Sequence, residues 1–139
     1  MSVWESSYHM FAEMLPSKCR KIDFGCGKWD AVISFESLHH FLPERKKELY
    51  REIYASLKEG GLFLLGDYIA DCDEEEELLC GVYLKKRKQS GIPEDRFVHF
   101  DIPLTLEHEA DVLRDAGFVI KEIKDEPDGV TIFAAEKAA

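Results

Sequence analysis

The chain has 139 residues, 45% apolar and 12% aromatic, enough for one domain to bury a core without disulfides or metals. Its 28 acidic and 18 basic residues give a formal charge of −10, which repels a phosphate backbone and argues against a general nucleic-acid binder. No apolar run approaches the roughly 20 residues of a membrane helix, the opening MSVWESSYHM has no signal-peptide pattern, and the four cysteines form no C-x-x-C pair, so a cytoplasmic protein with free thiols is expected.

In chain order, residues 8–15 are mostly apolar and suit a short helix, broken at Pro16-Ser17. Arg20 to Phe24 is a short strand candidate that leads into Gly25-Cys26-Gly27. Ala31 to Phe35 (AVISF) is a continuous apolar run, the pattern of a strand buried on both faces. Pro43 then suits a first helical turn, Leu49, Ile53 and Leu57 recur every four residues, and Gly60-Gly61 is the expected stop. Leu62 to Ile69 is a second apolar strand.

Asp73 to Ser90 reads as a helix, with Asp73 as N-cap and Glu76 three residues on. Its acidic start (73–77) and basic end (85–88) match the helix dipole, so both charge runs read as helix ends rather than binding patches. Thr105 caps a helix that runs to Ala116 and ends at Gly117. Phe118 to Ile123 and Val130 to Ala135 are strands joined antiparallel through the turn DEPDG. Two apolar strands joined through a helix imply a right-handed parallel crossover, so the class is α/β with a C-terminal antiparallel strand pair.

Four segments resemble the class I S-adenosylmethionine-dependent methyltransferase family. They are Lys21–Gly27 (KIDFGCG), Trp29–Phe41 (WDAVISFESLHHF), Leu57–Asp67 (LKEGGLFLLGD) and Leu113–Ala135. They are similar to the family's first motif, its fourth strand with the following loop, its fifth strand, and its closing helix and hairpin. The resemblance implies a three-layer, Rossmann-like methyltransferase sheet, truncated, with S-adenosylmethionine as cofactor and a small molecule as methyl acceptor. It also implies one domain over residues 1–139, in which 1–28 carry a partial cofactor motif and 29–139 form the C-terminal part of the sheet.

The chain departs from the family between Gly27 and Trp29. Two further strand–helix units normally stand there, about 60 residues at roughly 30 per unit. The acidic residue that holds the ribose and the segment beside the adenine have no counterpart. Residues 25–30 are also too few for a parallel crossover between neighbouring strands. Three explanations stay open: a deletion or pseudo-enzyme, an N-terminal segment that packs elsewhere or pairs with another subunit, or a KIDFGCG that only mimics the motif and leads into the next strand.

By the resemblance, Asp23, Gly25, Cys26, Gly27, Phe35 and Glu36 are the expected cofactor-binding residues. His39, His40, Asp67 and Tyr68 are expected to line the acceptor pocket at the carboxyl ends of the strands, where open α/β sheets bind ligands. No metal site is expected, because adjacent histidines rarely converge on one ion and no third ligand is evident. His99 and His108 read as ordinary. A non-catalytic, methyltransferase-like binding or regulatory protein is the alternative. The N-terminal apolar set (Trp4, Tyr8, Met10, Phe11, Met14 and Leu15) and the sheet edge left by the missing units point to a homo-oligomer, with a dimer as the simplest case.

Overall fold

A computed structural model describes residues 24–92 and 100–138. The helix expected at 8–15, the strand expected at 20–24 apart from Phe24, and Asp23, Phe97 and His99 lie outside the described residues.

Strand β1 (Trp29–Phe35) passes through a short 3-10 turn (Leu38–His40) into helix α1 (Pro43–Ser56). Pro43 opens α1, and Lys46, Leu49, Tyr50, Ile53 and Ser56 are its buried stripe, spaced by three and four residues as an amphipathic helix requires. The helix ends four residues before the expected Gly60-Gly61 stop. Ser56 Oγ donates to the Ile53 carbonyl at 2.7 Å, and Leu57 is already extended. Strand β2 (Leu57–Tyr68) therefore contains both glycines. They form a bulge opposite Asp30, with Gly60 at φ +78, and an added Cβ on Gly61 would lie 2.8 Å from the Lys58 carbonyl.

Helix α2 (Asp73–Gln89) differs from expectation at its start. Cys72, not Asp73, is the N-cap, without a side-chain hydrogen bond. Glu76 forms no capping box, because its carboxylate accepts the Thr105 amide at 2.8 Å and the His108 ring at 2.8 Å instead. Helix α3 (Leu106–Asp115) starts as read, with Thr105 Oγ1 accepting the His108 amide at 3.3 Å. Strands β3 (Val119–Asp125) and β4 (Val130–Glu136) form the expected hairpin, closed at Gly129.

The sheet order is β1-β2-β4-β3, with β1 parallel to β2 and β4 antiparallel to both of its neighbours. This α/β order, with its C-terminal antiparallel pair, is the one that the resemblance implies for a truncated Rossmann-like methyltransferase sheet. Of the three layers, the described residues supply the sheet and one helical layer. Val32, Phe63, Ala135 and Ile120 form one cross-sheet row and Ser34, Leu65 and Phe133 the next, both facing α1 and α3.

The alternate face is different. Ala31, Leu62, Glu136 and Val119 form a row in which Leu62 is 37% and Val119 44% exposed, and Ile33 on the same face is 50% exposed. Ala31–Phe35 is therefore not buried on both faces, which corrects the sequence expectation. Among the described residues β1 is an edge strand with β2 as its one neighbour, and the helical layer covers only its Val32 and Ser34 side.

One polar cluster lies inside the helical layer. Lys46 Nζ donates to Glu109 Oε2 at 2.8 Å, both side chains are 1% exposed, and the Tyr50 hydroxyl donates to the other Glu109 oxygen. Burial, then the Glu109 charge, pushes the Tyr50 hydroxyl well above its ordinary value of 10, so it stays a donor. Removing one partner from a buried ion pair strands the other charge, at a cost of about 3–5 kcal/mol. Urea unfolding of Lys46→Met is expected to show a loss of that size, with part recovered in Lys46→Met/Glu109→Gln. A loss below about 1 kcal/mol in the single variant would contradict the stranded-charge account.

Candidate functional site

The rim at the carboxyl ends of β1 and β2 is built by two turns. The first follows Phe35. Glu36 adopts φ +53, rare for a non-glycine residue, while its amide donates to the Gly66 carbonyl at 2.8 Å. Gly66 is required there, since a Cβ would lie 2.4 Å from the Phe35 ring that packs across it. The chain then enters the 3-10 turn, which carries His39 and His40 back under the rim.

His39 is 4% exposed, and its Nδ1 lies 2.5 Å from Asp67 Oδ1 at the end of β2. The Tyr68 amide donates to the same oxygen at 2.9 Å, while Asp67 Oδ2, also buried, has no hydrogen-bond partner among the described residues. The second turn comes from the stretch before α3. The Ile102 amide donates to the His39 carbonyl at 2.8 Å, which brings Asp101 Oδ1 to 3.1 Å from His39 Nε2 and 3.5 Å from His40 Nδ1. His40 Nδ1 also lies 3.3 Å from the Phe100 carbonyl. On the open side the Tyr68 hydroxyl donates to Glu36 Oε1 at 3.2 Å, and the Tyr68 ring stands edge-on to His39 at 5.2 Å.

The two histidines titrate in opposite directions. Burial works against a charge on His39, but the Asp67 hydrogen bond and charge, with Asp101 adding to them, leave its pKa above 6.5. Burial and the neighbouring His39 hold His40 below 6.5. The Glu36 carboxylate raises the Tyr68 hydroxyl, so it remains protonated as the donor in their bond.

The structure thus brings together Phe35, Glu36, His39, His40, Asp67 and Tyr68. It does not bring Gly25, Cys26 and Gly27 to them. Those residues precede β1 at its amino end, about 20 Å away along a seven-residue strand. Gly25 and Gly27 take positive φ in a turn closed by Trp29 Nε1 donating to the Phe24 carbonyl at 2.8 Å. The Gly27 and Lys28 amides donate to the Ala55 and Ser56 carbonyls at 2.8 and 2.7 Å.

Those two amides are engaged by the end of α1 and do not face a ligand. The turn of Gly25 and Gly27 therefore does not reach the rim at Phe35–Glu36.

The sequence reading missed Asp101, because a lone acid 61 positions beyond His40 carries no motif. It also took His108 as ordinary, whereas the ring pairs with Glu76 and ties α3 to α2. Beside the rim, an apolar groove of about 370 Å³ opens between α2 and residues 102–104, lined by Leu42, Pro43, Cys80, Leu84, Ile102 and Leu104 among others.

Comparison with known proteins places these features in context. A family profile described as "Methyltransferase domain" matches residues 4–65. The carboxy-S-adenosyl-L-methionine synthase of Nautilia profundicola is 26% identical over 102 residues, 68% of this chain and 43% of that protein. Human N-acetylserotonin methyltransferase in complex with SAM superposes with TM-score 0.59 at 21% identity, covering 86% of this chain and 33% of that one. An O-methyltransferase family 2 protein from Planctomyces limnophilus, in complex with apigenin, gives TM-score 0.58 at 17% identity over 80% and 31% of the two chains. A SAM-dependent methyltransferase from Methanosarcina mazei gives 0.59 at 17% identity over 85% and 63%. The chain thus spans less than half the length of the synthase and about a third of the first two structures.

The His39–Asp67 pair has a signed pH signature. Because the folded pKa of His39 lies above its unfolded value of 6.5, the stability it contributes is present in full below 6.5 and is lost as pH rises through the folded value. The stability gap between the wild type and Asp67→Asn is expected to be wider at pH 6 than at pH 9. In Asp67→Asn, burial acts without its main opponent, and the imidazole NMR titration of His39 should fall below 6.5. An unchanged midpoint would contradict the pairing.

Proposed function

We propose that the chain is a member of the class I S-adenosylmethionine-dependent methyltransferase family, as the profile over residues 4–65 supports, and that its rim is the acceptor side of a small-molecule methyltransferase whose cofactor site is incomplete within this chain. The observation that carries the reading is the convergence of Phe35, Glu36, His39, His40, Asp67 and Tyr68 at the carboxyl ends of two parallel strands. S-adenosylmethionine is the family's cofactor and, when bound, supplies a methyl group on a sulfonium that is already a strong electrophile.

Transfer of that group asks mainly for positioning. On this reading Phe35 and Glu36 border the cofactor. Tyr68, held by Glu36, and the His39–His40 pair, held by Asp67 and Asp101, orient the acceptor. The apolar groove beside residues 102–104 is of a size to take its non-polar part. The exposed face carrying Ile33, Leu62 and Val119 supports self-association in the cytoplasm, as a dimer or larger homo-oligomer.

A second reading, a non-catalytic methyltransferase-like binding or regulatory protein, is favoured by one observation: the Gly27 and Lys28 amides are engaged by α1 and are not open to a ligand. Calorimetry of the full chain with S-adenosylhomocysteine separates the two. Loss of a charge-assisted hydrogen bond alone costs on the order of 1.5–3 kcal/mol, about ten- to a hundredfold in affinity. Saturable binding weaker than micromolar is therefore expected. Sub-micromolar binding would contradict an incomplete site, and absence of binding at millimolar ligand would favour the non-catalytic protein.

A further inference from the structure

We propose that His39, His40 and Asp101 bind one divalent transition cation of the zinc class at the rim. Neighbouring histidines usually diverge, and the sequence offers no third ligand near them. The fold removes both objections. On the 3-10 turn the two rings lie 4.1 Å apart and tilted by 46°, and they present unlike nitrogens, Nε2 of His39 and Nδ1 of His40. Asp101 Oδ1 arrives from the other turn at 3.1 and 3.5 Å from those nitrogens, and the ligand atoms of all three residues lie within 4.8 Å of one another.

The two separations from Asp101 match a coordination shell, and a small closing of the two rings brings the third within it. Bonds of about 2.0–2.2 Å place neighbouring ligand atoms about 2.8–3.6 Å apart in octahedral or tetrahedral geometry. Two imidazoles and a carboxylate suit borderline cations such as zinc, cobalt(II) or iron(II), and leave at least one position open to water or an acceptor oxygen.

The support behind the ligands is also that of a metal site. His39 Nδ1 lies against the buried Asp67 carboxylate, which fixes the ring with Nε2 towards Asp101, and a cation that binds there displaces the Nε2 proton. His40 binds as its Nε2–H tautomer, so its Nδ1 turns from the Phe100 carbonyl to the cation. No redox change is involved. The site rests on side-chain geometry alone and is independent of whether the rim takes a methyl acceptor.

The test is titration of the chelator-treated full chain with cobalt(II) and zinc, followed by calorimetry and visible absorption. One equivalent is expected, with cobalt d–d bands and no thiolate charge-transfer band. Asp101→Asn and His40→Gln should each weaken binding at least tenfold, and Asp67→Asn about ten- to a hundredfold through the ring it orients. Asp101 is 66% exposed, so the fold of that variant is secure, and circular dichroism verifies it. His108→Gln, which removes the exposed Asp73–Glu76–His108 group, should change nothing. The proposal is overturned by absence of saturable binding, by thiolate bands marking the cysteines as ligands, by full affinity in both Asp101→Asn and His40→Gln, or by loss confined to His108→Gln.

Discussion

The buried Glu109 carboxylate, gripped by Lys46 and Tyr50, is the constraint on which the rest of the structure depends. Lys46 lies three residues after the start of α1, and Glu109 three residues after the start of α3. The pair therefore joins the first turns of both helices, and the loop ahead of each helix is fixed relative to the other. One of those loops carries His39 and His40, the other Asp101. A buried ion pair recovers little net stability after desolvation, but it fixes which turn of one helix faces which turn of the other, because any other register strands a charge. Here the consequence is local and chemical: an acid far along the chain sits against two adjacent imidazoles.

The sheet supplies the second half of the arrangement. Parallel β1 and β2 end on the same edge, so the turn after Phe35 and the Asp67-Tyr68 pair share a rim. Gly66 lets the Phe35 ring pack across it there, and the chain turns at Glu36 with φ +53. The glycine-rich segment that opens the described chain lies at the amino ends of these strands, against the end of α1. Residues 25–28 lead directly into β1. Beyond that segment, β1 is an edge of the sheet among the described residues.

Much of this was legible in the residues because local and tertiary demands agree. The stripe residues Leu49 and Ile53, the cap at Thr105 and the DEPDG turn each sit where local chemistry places them. The reading went astray where partners distant in sequence decide. Gly60-Gly61 looks like a helix stop, but Leu57 pairs with Trp29 and draws the chain into the sheet first. Glu76 has the spacing of a capping box, but the Thr105 amide and the His108 ring, about 30 residues on, claim its carboxylate. An apolar run such as AVISF predicts two covered faces, yet a strand is covered only as far as its neighbours reach. At the rim the pattern is the same: the histidines and Asp67 carry a family signature, while Asp101 is visible only once α1 and α3 are packed.

The central claim is that ligand recognition belongs to the carboxyl rim and not to the glycine turn. Amide NMR of the isotope-labelled full chain, titrated with S-adenosylhomocysteine, tests it most directly. The account predicts shifts concentrated in residues 35–40 and 66–70, with Gly25 to Lys28 unmoved. Shifts centred on Gly25 to Lys28, or none at the rim at saturating ligand, would contradict it.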